Sequence, residues 1–463
     1  MKQINPKIFR AYDIRGIVPQ DLDIFTAELI GKGFGTFLSQ KKSKIKVVVG
    51  RDNRVSSFKL QKAFIKGLIS TGTEVIDIGM VITPLVYFGT YFLKTEGGAM
   101  ITASHCPPEY NGFKLTKSKA NPVFGKELTS IYKIIKERKF KKGKGSLIKK
   151  DISLNYLEEI AKRISLKKSL KIIIDTGNGT AGLFAPKLFK KLGCEVKTIY
   201  QKPIGTFPHH IPDPEIEENV FDLKLKIIKT KEKDIGIGID GDGDRLGVID
   251  EKGRHVEADL ILLILAKDLL KRIPKSKILF DIKSSQILFN EIRKAGGIPI
   301  IFKTGHSYFK TKMEKEKILL GGEVSGHIFL KENWYGFDDA LFAGAKLLEV
   351  LSKQRKTLAS IIDSFPKFYS TPEIKIPCSD EEKFEIVKKL KKYFKANYQT
   401  IDIDGVRILF DKFSWGLVRA SNTSPNLTLR FEAKTKKKLE EIKKIVFDKL
   451  RKYVSLKEEN QSS

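Results

Sequence analysis

The sequence predicts an α/β protein: three repeated α/β domains with mixed, largely parallel sheets, then a C-terminal α+β domain. Three observations carry that reading. The chain has 463 residues, more than one hydrophobic core organises, so it divides into roughly three or four domains. A strand–helix–strand pattern recurs three times along it. Beyond about residue 364 that pattern gives way to helices and strands in a different order.

Each copy opens on a lysine-flanked apolar strand, at residues 45–50, 170–175 and 278–281. A polar turn and a helical stretch lead to a glycine and a second strand, at 74–78, 195–200 and 298–302. A third strand follows at 99–102, 235–239 and 318–320. Strands alternating with helices form crossover units, which lay strands parallel. The expected domains are 1–148, 149–253, 254–364 and 365–463. In the last, helices are expected near 381–395 and 436–452, with strands at 406–410 and 427–431.

Composition narrows the class. A hydrophobic content of 41%, with 10% aromatic residues, supports ordinary globular cores. The longest apolar stretch, near 260–266, stops at Lys267 and Asp268, well short of the ~18 residues a membrane span needs. No membrane partner is expected. Residues 1–9 lack an apolar export segment, and Cys106, Cys194 and Cys378 form no CxxC pair, so a reducing, cytoplasmic location is expected. The formal net charge is +31, but the lysines are spread along the whole chain, with only short clusters such as 139–144. Without zinc-finger spacing or an RNA-recognition aromatic pattern, this reads as a solvated basic surface that draws in anionic small molecules. No nucleic-acid partner is expected.

The chemistry follows each third strand. The first runs into Thr102-Ala-Ser-His105, the second into Asp240-Gly-Asp-Gly-Asp-Arg245, the third into Gly322-Glu-Val-Ser-Gly-His327. In open α/β sheets ligands gather beyond the carboxyl ends of strands, so three equivalent loops present three chemistries to one cleft. An extended segment would point Asp240, Asp242 and Asp244 to one side, and the interleaved glycines admit a close ligand. Three hard oxygen donors suit Mg²⁺, and three adjacent anions repel without a cation. An EF-hand is the rival, since Glu251 stands twelfth from Asp240. Against it, Arg245 replaces the turn glycine and strands flank the loop.

Ser104 beside His105 is not a GxSxG elbow, and alone it is a weak signal. Its strand-end position, matching that of the acidic loop, makes it a candidate phosphate carrier served by that loop's cation. Glu323 and Ser325, one residue apart, can face the same way and hold adjacent sugar hydroxyls. A surface turn with a capping serine is the plainer alternative there. The stretch Arg419-Ala-Ser-Asn-Thr-Ser424 joins a fixed cation to small donors and suits a phosphate, unless it is an ordinary polar turn.

Together these motifs resemble the α-D-phosphohexomutase superfamily, closest to its bacterial phosphomannomutase/phosphoglucomutase branch. The resemblance runs from Phe9-Arg-Ala-Tyr-Asp-Ile-Arg-Gly16 to Arg419-Ala-Ser-Asn-Thr-Ser-Pro425, with four motifs in family order. It implies four domains around a cleft and interconversion of hexose 1-phosphate and hexose 6-phosphate. It also implies a phosphoserine, with hexose 1,6-bisphosphate as intermediate and activator. Ser104 would be that phosphoserine, and Asp240, Asp242 and Asp244 would hold Mg²⁺ together with an oxygen of it. Tyr12 and Arg15 would line the cleft, with His105, Lys114 and Arg245 around the phosphoserine. Lys283 and His306 match cleft positions, and the main acid or base stays open among Lys114, Lys283 and His306. Glu323 and Ser325 would bind sugar hydroxyls; Arg419, Ser421, Asn422 and Thr423 would hold the non-reacting phosphate.

Cys106 departs from the family pattern, which has asparagine there. Phosphoglucosamine mutases carry glutamine where this chain has Val324. With Trp334-Tyr-Gly-Phe-Asp-Asp339, that favours dual phosphomannomutase and phosphoglucomutase activity. A phosphoglucosamine mutase is the runner-up, and a non-catalytic sugar-phosphate sensor the distant third. The expected partner is a small phosphosugar, and the expected state a monomer or weak homo-oligomer.

Overall fold

The computed structural model describes residues 4–40, 42–230, 232–421 and 425–454. The first sheet orders its strands Ile14–Ile17, Tyr110–Lys117, Gly97–Ile101, Lys46–Arg51, Glu74–Met80 and Ser146–Lys149. The second runs His255–Val256, Leu246–Ile249, Ile235–Ile239, Lys171–Asp175 and Glu195–Ile199. The third runs Ile298–Phe302, Lys277–Asp281, Leu320–Gly322 and Ile328–Leu330. In each, the repeated strands pair in parallel, and the third strand turns back through a loop into an antiparallel neighbour. The sheets are therefore mixed, and each chemistry-bearing loop is the connection of a hairpin at a sheet's carboxyl end.

The third strand of the third copy begins two residues later than expected, at Leu320. Ile318 is instead drawn into a small core with Leu279, Phe309 and Met313, and its N–H bonds back to Met313 O at 3.0 Å. The last sheet is antiparallel throughout, built on the strands Asn426–Ala433, Trp415–Ala420 and Val406–Leu409, with the helices Lys383–Asn397 and Lys436–Leu450 against it. Local chemistry sets the helix starts. Asp23, Asp339 and Thr435 each accept a hydrogen bond from a first-turn N–H, which satisfies a donor the helix leaves unpaired.

One continuous apolar core runs through the first three sheets, including Val48, Tyr156, Ile237, Leu262 and Leu348. Helix Ile24–Ser39 and helix Ser57–Ile69 close the far face of the first sheet over Phe34, Phe64 and Phe113. The antiparallel sheet has a core of its own, around Leu390, Val418 and Phe431. Among the described residues, a small apolar cluster of Ile282, Trp415 and Leu417 links that core to the third sheet. Among the described residues no helix is long and apolar enough to cross a membrane.

Candidate active site

The three hairpin loops and the antiparallel sheet enclose a cleft of about 640 Å³. It is lined by Ser104, His105, Arg245, Glu323, His327 and Arg419, among others. Ser104 is 2% exposed, and its hydroxyl donates to Asp240 Oδ2 at 2.6 Å. His105 Nδ1 lies 3.2 Å from the same Ser104 Oγ. Ser104 takes a left-handed φ of +52°, sparsely allowed for a residue with a Cβ. The acidic loop passes so close that a Cβ on Gly241 would come 2.5 Å from Ser104 O.

Asp240, Asp242 and Asp244 are fully buried, and each offers an oxygen within 4.8 Å of the others. They converge through a tight turn rather than the extended segment expected from their spacing. The strand ends at Ile239; Asp240 Oδ1 then accepts the N–H groups of Asp244 (2.9 Å) and Arg245 (3.0 Å), and Gly243 supplies φ +80°. Folding the loop back on its own first carboxylate gathers the three side chains more tightly than an extended strand allows. Burial, with Asp242 and Asp244 beside it, pushes the Asp240 carboxyl far up. Among the described residues, Asp242 Oδ1 and Asp244 Oδ1 have no hydrogen-bond partner. Three oxygen donors and two unpaired anionic atoms fit a divalent cation such as Mg²⁺. The EF-hand alternative fails: Glu251 accepts the N–H groups of Leu358 and Ala359, both at 2.8 Å, and so caps a distant helix.

Lys114 reaches the acidic loop, with Nζ 2.7 Å from Asp242 Oδ2 and 2.5 Å from Asp244 Oδ2. Burial opposes its charge, yet these carboxylates outweigh it and hold the ammonium far above its usual range. Lys283 is likewise held protonated: burial works against it, but Glu373, its ion-pair partner, prevails. Burial, reinforced by Lys310, pushes the His306 imidazole down to about 4, so it is neutral at pH 7. His306 Nδ1 and His327 Nδ1 stand 3.4 and 3.1 Å from Asp338 Oδ2, while Lys310 Nζ is 3.0 Å from Asp338 Oδ1. Arg245 Nε donates to His327 Nε2 at 3.2 Å and lies 3.5 Å from Asp213 through Nη1.

The remaining residues line the same cleft. Tyr12 donates to Thr304 O at 2.9 Å, tying the first domain to the third. Arg15 pairs with Asp13 at 2.6 Å and donates to Cys106 Sγ at 3.1 Å, so the thiol takes the acceptor place that an amide oxygen could fill. Glu323 accepts Gly305 N–H at 2.6 Å, and Ser325 lies beside it in the cleft wall. At the far end Arg419 is held by Asp404 at 3.0 Å, next to Ser421. Asn422 and Thr423 lie outside the described residues. Sequence reasoning gave no role to His327, Asp338, Lys310, Glu373 or Asp404. Only His327 carried a signal, since it closes the third loop as Arg245 closes the second.

A hydroxyl seated on a carboxylate cluster, with fixed cations and an arginine loop across one cleft, defines a site for moving phosphoryl groups on a small polar molecule. The chain matches all four domains of one family in order: phosphoglucomutase/phosphomannomutase alpha/beta/alpha domains I, II and III at residues 6–142, 154–253 and 257–369, and its C-terminal domain at 373–449. It belongs to the phosphoglucomutase/phosphomannomutase family and is a phosphohexomutase, an isomerase. It is 42% identical to a phosphomannomutase/phosphoglucomutase of Pseudomonas aeruginosa, over 96% of this chain and 95% of that one. Against a phosphoglucomutase of Neisseria gonorrhoeae the identity is 40%, over 96% of each. Its fold superposes on the crystal structure of a phosphoglucomutase/phosphomannomutase family protein from Burkholderia thailandensis with TM-score 0.90, at 37% identity and covering 97% and 98% of the two chains.

Proposed function

We propose that Ser104 carries the transferable phosphate and that the chain interconverts the 1- and 6-phosphates of glucose and mannose through a hexose 1,6-bisphosphate. The observation that carries this reading is the Ser104 hydroxyl, buried in the cleft wall 2.6 Å from Asp240 and 3.2 Å from the His105 ring. In the first transfer the phosphorus–oxygen bond to Ser104 breaks and one to a sugar hydroxyl forms; that hydroxyl gives up its proton and Ser104 Oγ takes one up. In the second, after the sugar reverses, the bond between its other phosphate and the sugar oxygen breaks as that phosphate joins Ser104 Oγ; the serine proton departs and the released sugar oxygen takes up a proton.

Asp240, Asp242 and Asp244 would hold Mg²⁺, which when bound neutralises charge on the transferring group. Lys114 and Lys283, held as ammonium ions by neighbouring carboxylates, donate to phosphate and sugar oxygens. The uncharged His306, held by Asp338, is the group placed to take the hydroxyl proton. Glu323 and Ser325 grip sugar hydroxyls, and Arg419 with Ser421, Asn422 and Thr423 binds whichever phosphate is not reacting. Because that loop recognises a phosphate rather than one end of the sugar, the intermediate can bind in either direction. Val324, buried in the cleft wall between Glu323 and Ser325, offers no amide to an amino sugar.

Mass mapping of purified protein incubated with glucose 1,6-bisphosphate tests the assignment. Phosphate is expected on Ser104, and Ser104→Ala is expected to lose turnover by at least about 1,000-fold with little change in sugar-phosphate affinity. An unphosphorylated Ser104 in an active enzyme would refute it. Mannose 1-phosphate, glucose 1-phosphate and glucosamine 1-phosphate assayed side by side decide the sugar.

A further inference from the structure

Arg54 lies outside the cleft, just past the strand Lys46–Arg51, and is 2% exposed. Its guanidinium donates to five oxygens. Nε binds Asp52 Oδ2 at 3.1 Å; Nη1 binds Pro107 O at 2.6 Å and Tyr110 O at 3.1 Å; Nη2 binds Ser104 O at 2.8 Å and Cys106 O at 2.6 Å. Three of the five are main-chain carbonyls of the loop that bears Ser104, and a fourth, Tyr110 O, belongs to the residue that opens the next strand. Asp52, 1% exposed, balances the charge and is itself held by Ser57 and by Arg54 N–H.

A buried arginine is stable only when its protons are met, and here one planar fork meets four carbonyls spread over seven residues of the chain. In a peptide unit the C=O and N–H point opposite ways. Drawing these carbonyls to one cation therefore fixes the orientation of the loop's amides and holds Ser104 at its unusual φ of +52°. The guanidinium also lies over the ring of Phe207, with Cζ 5.0 Å from the ring centroid. Phe207 comes from the domain that supplies the acidic loop, and its own φ is +48°.

We propose that Arg54 is a positioning residue for phosphoryl transfer. It acts through the carbonyls of Ser104, Cys106, Pro107 and Tyr110 to hold the Ser104 hydroxyl against Asp240, and Phe207 ties that alignment to the docking of the second domain. The proposal rests on Ser104 being the phosphate carrier. Lysine cannot take the place of Arg54, because three protons on one nitrogen cannot serve four carbonyls spread around a planar fork. Loss of the fork disturbs both transfers at Ser104 but leaves Glu323, Arg419 and Ser421 in place to bind the sugar phosphate.

The test compares wild type, Arg54→Lys and Phe207→Leu, each incubated with glucose 1,6-bisphosphate. It follows phosphate incorporation at Ser104 by mass spectrometry and kcat and KM with glucose 1-phosphate. In Arg54→Lys, both the phosphorylation rate of Ser104 and kcat are expected to fall about 100-fold, with KM within about threefold of wild type. Phe207→Leu should move the same quantities the same way by a smaller factor, and it decides the matter if Arg54→Lys fails to fold. Wild-type phosphorylation rate and kcat in a folded Arg54→Lys, or in Phe207→Leu when only that variant folds, overturn the proposal. So does a raised KM with unchanged kcat. A wild-type enzyme that turns over without phosphate on Ser104 instead overturns the assignment of the carrier on which the proposal rests.

Discussion

Burial pushes the Glu323 carboxyl from an ordinary value near 4.5 up to about 7. Between those two values the folded chain keeps a proton that the unfolded chain has released. Stability therefore falls as pH rises through that window and levels off above it. Glu323→Gln has no proton to lose. The stability of Glu323→Gln relative to wild type should thus grow by as much as about 3 kcal/mol between pH 4.5 and pH 8. Thermal denaturation of the pair across that range measures it, and a difference independent of pH would show that the carboxyl is not held protonated. Glu323 also shows where residue-level reading of the sequence succeeds and stops. That it can face the same way as Ser325 is legible from spacing. The N–H it accepts belongs to Gly305, eighteen positions away, and nothing in the local sequence marks that contact. Lys283 is similar: the resemblance marks it as a cleft residue, but its partner Glu373 stands ninety residues further on.

At the scale of elements, the three loops are readable because each carries its chemistry in consecutive residues at the end of a predictable strand. What brings two of them together is not readable in the same way. Gly241 has no unusual φ, so its glycine is required by space: an added Cβ would sit 2.5 Å from Ser104 O and 3.1 Å from Pro212 Cγ. The main chain on one side is fixed by Arg54, and on the other Gly241 N–H bonds to Pro212 O at 3.2 Å. Neither can yield without moving its loop. Gly241→Ala is therefore expected to cost about 1–3 kcal/mol of stability by overpacking. It should also lower kcat about 100-fold by separating Ser104 from the carboxylates. Calorimetry and steady-state kinetics on the same variant check both, and normal kcat at reduced stability would mean that the two loops are not rigidly aligned. The turn that replaces the expected extended segment at Asp240 has the same origin. Spacing predicts that three carboxylates meet, but their meeting geometry depends on hydrogen bonds from Asp244 and Arg245 back to Asp240, which a pattern of alternating residues does not display.

Over the whole molecule the apolar contacts are unevenly shared. The first three domains are welded by one core, whereas the C-terminal domain meets the third through Ile282, Trp415 and Leu417 and a set of polar bonds. Arg407 is central to that set. It is 1% exposed, its ring partner is Trp415 at 3.8 Å, and Nη1 donates to Ile282 O and Ser284 O, both at 2.8 Å. Glu432 completes the joint, accepting Gln286 N–H at 2.8 Å and the Trp415 indole at 2.9 Å. Such a joint is held by a few hydrogen bonds rather than by area, so it is the contact most open to adjustment when a sugar phosphate enters or leaves. Arg407→Ala removes the donor from two buried carbonyls, a loss of about 1–3 kcal/mol. That loss falls on docking, since the core of neither domain is touched. The docked population that presents Arg419 and Ser421 to the phosphate shrinks accordingly, which should raise KM for glucose 1-phosphate roughly tenfold while kcat changes less. In calorimetry a lower-temperature transition should separate from the main one, which stays in place because the shared core of the first three domains is unaltered. A single transition shifted as a whole would mean that the C-terminal domain is as firmly joined as the other three, and that the cleft opens elsewhere.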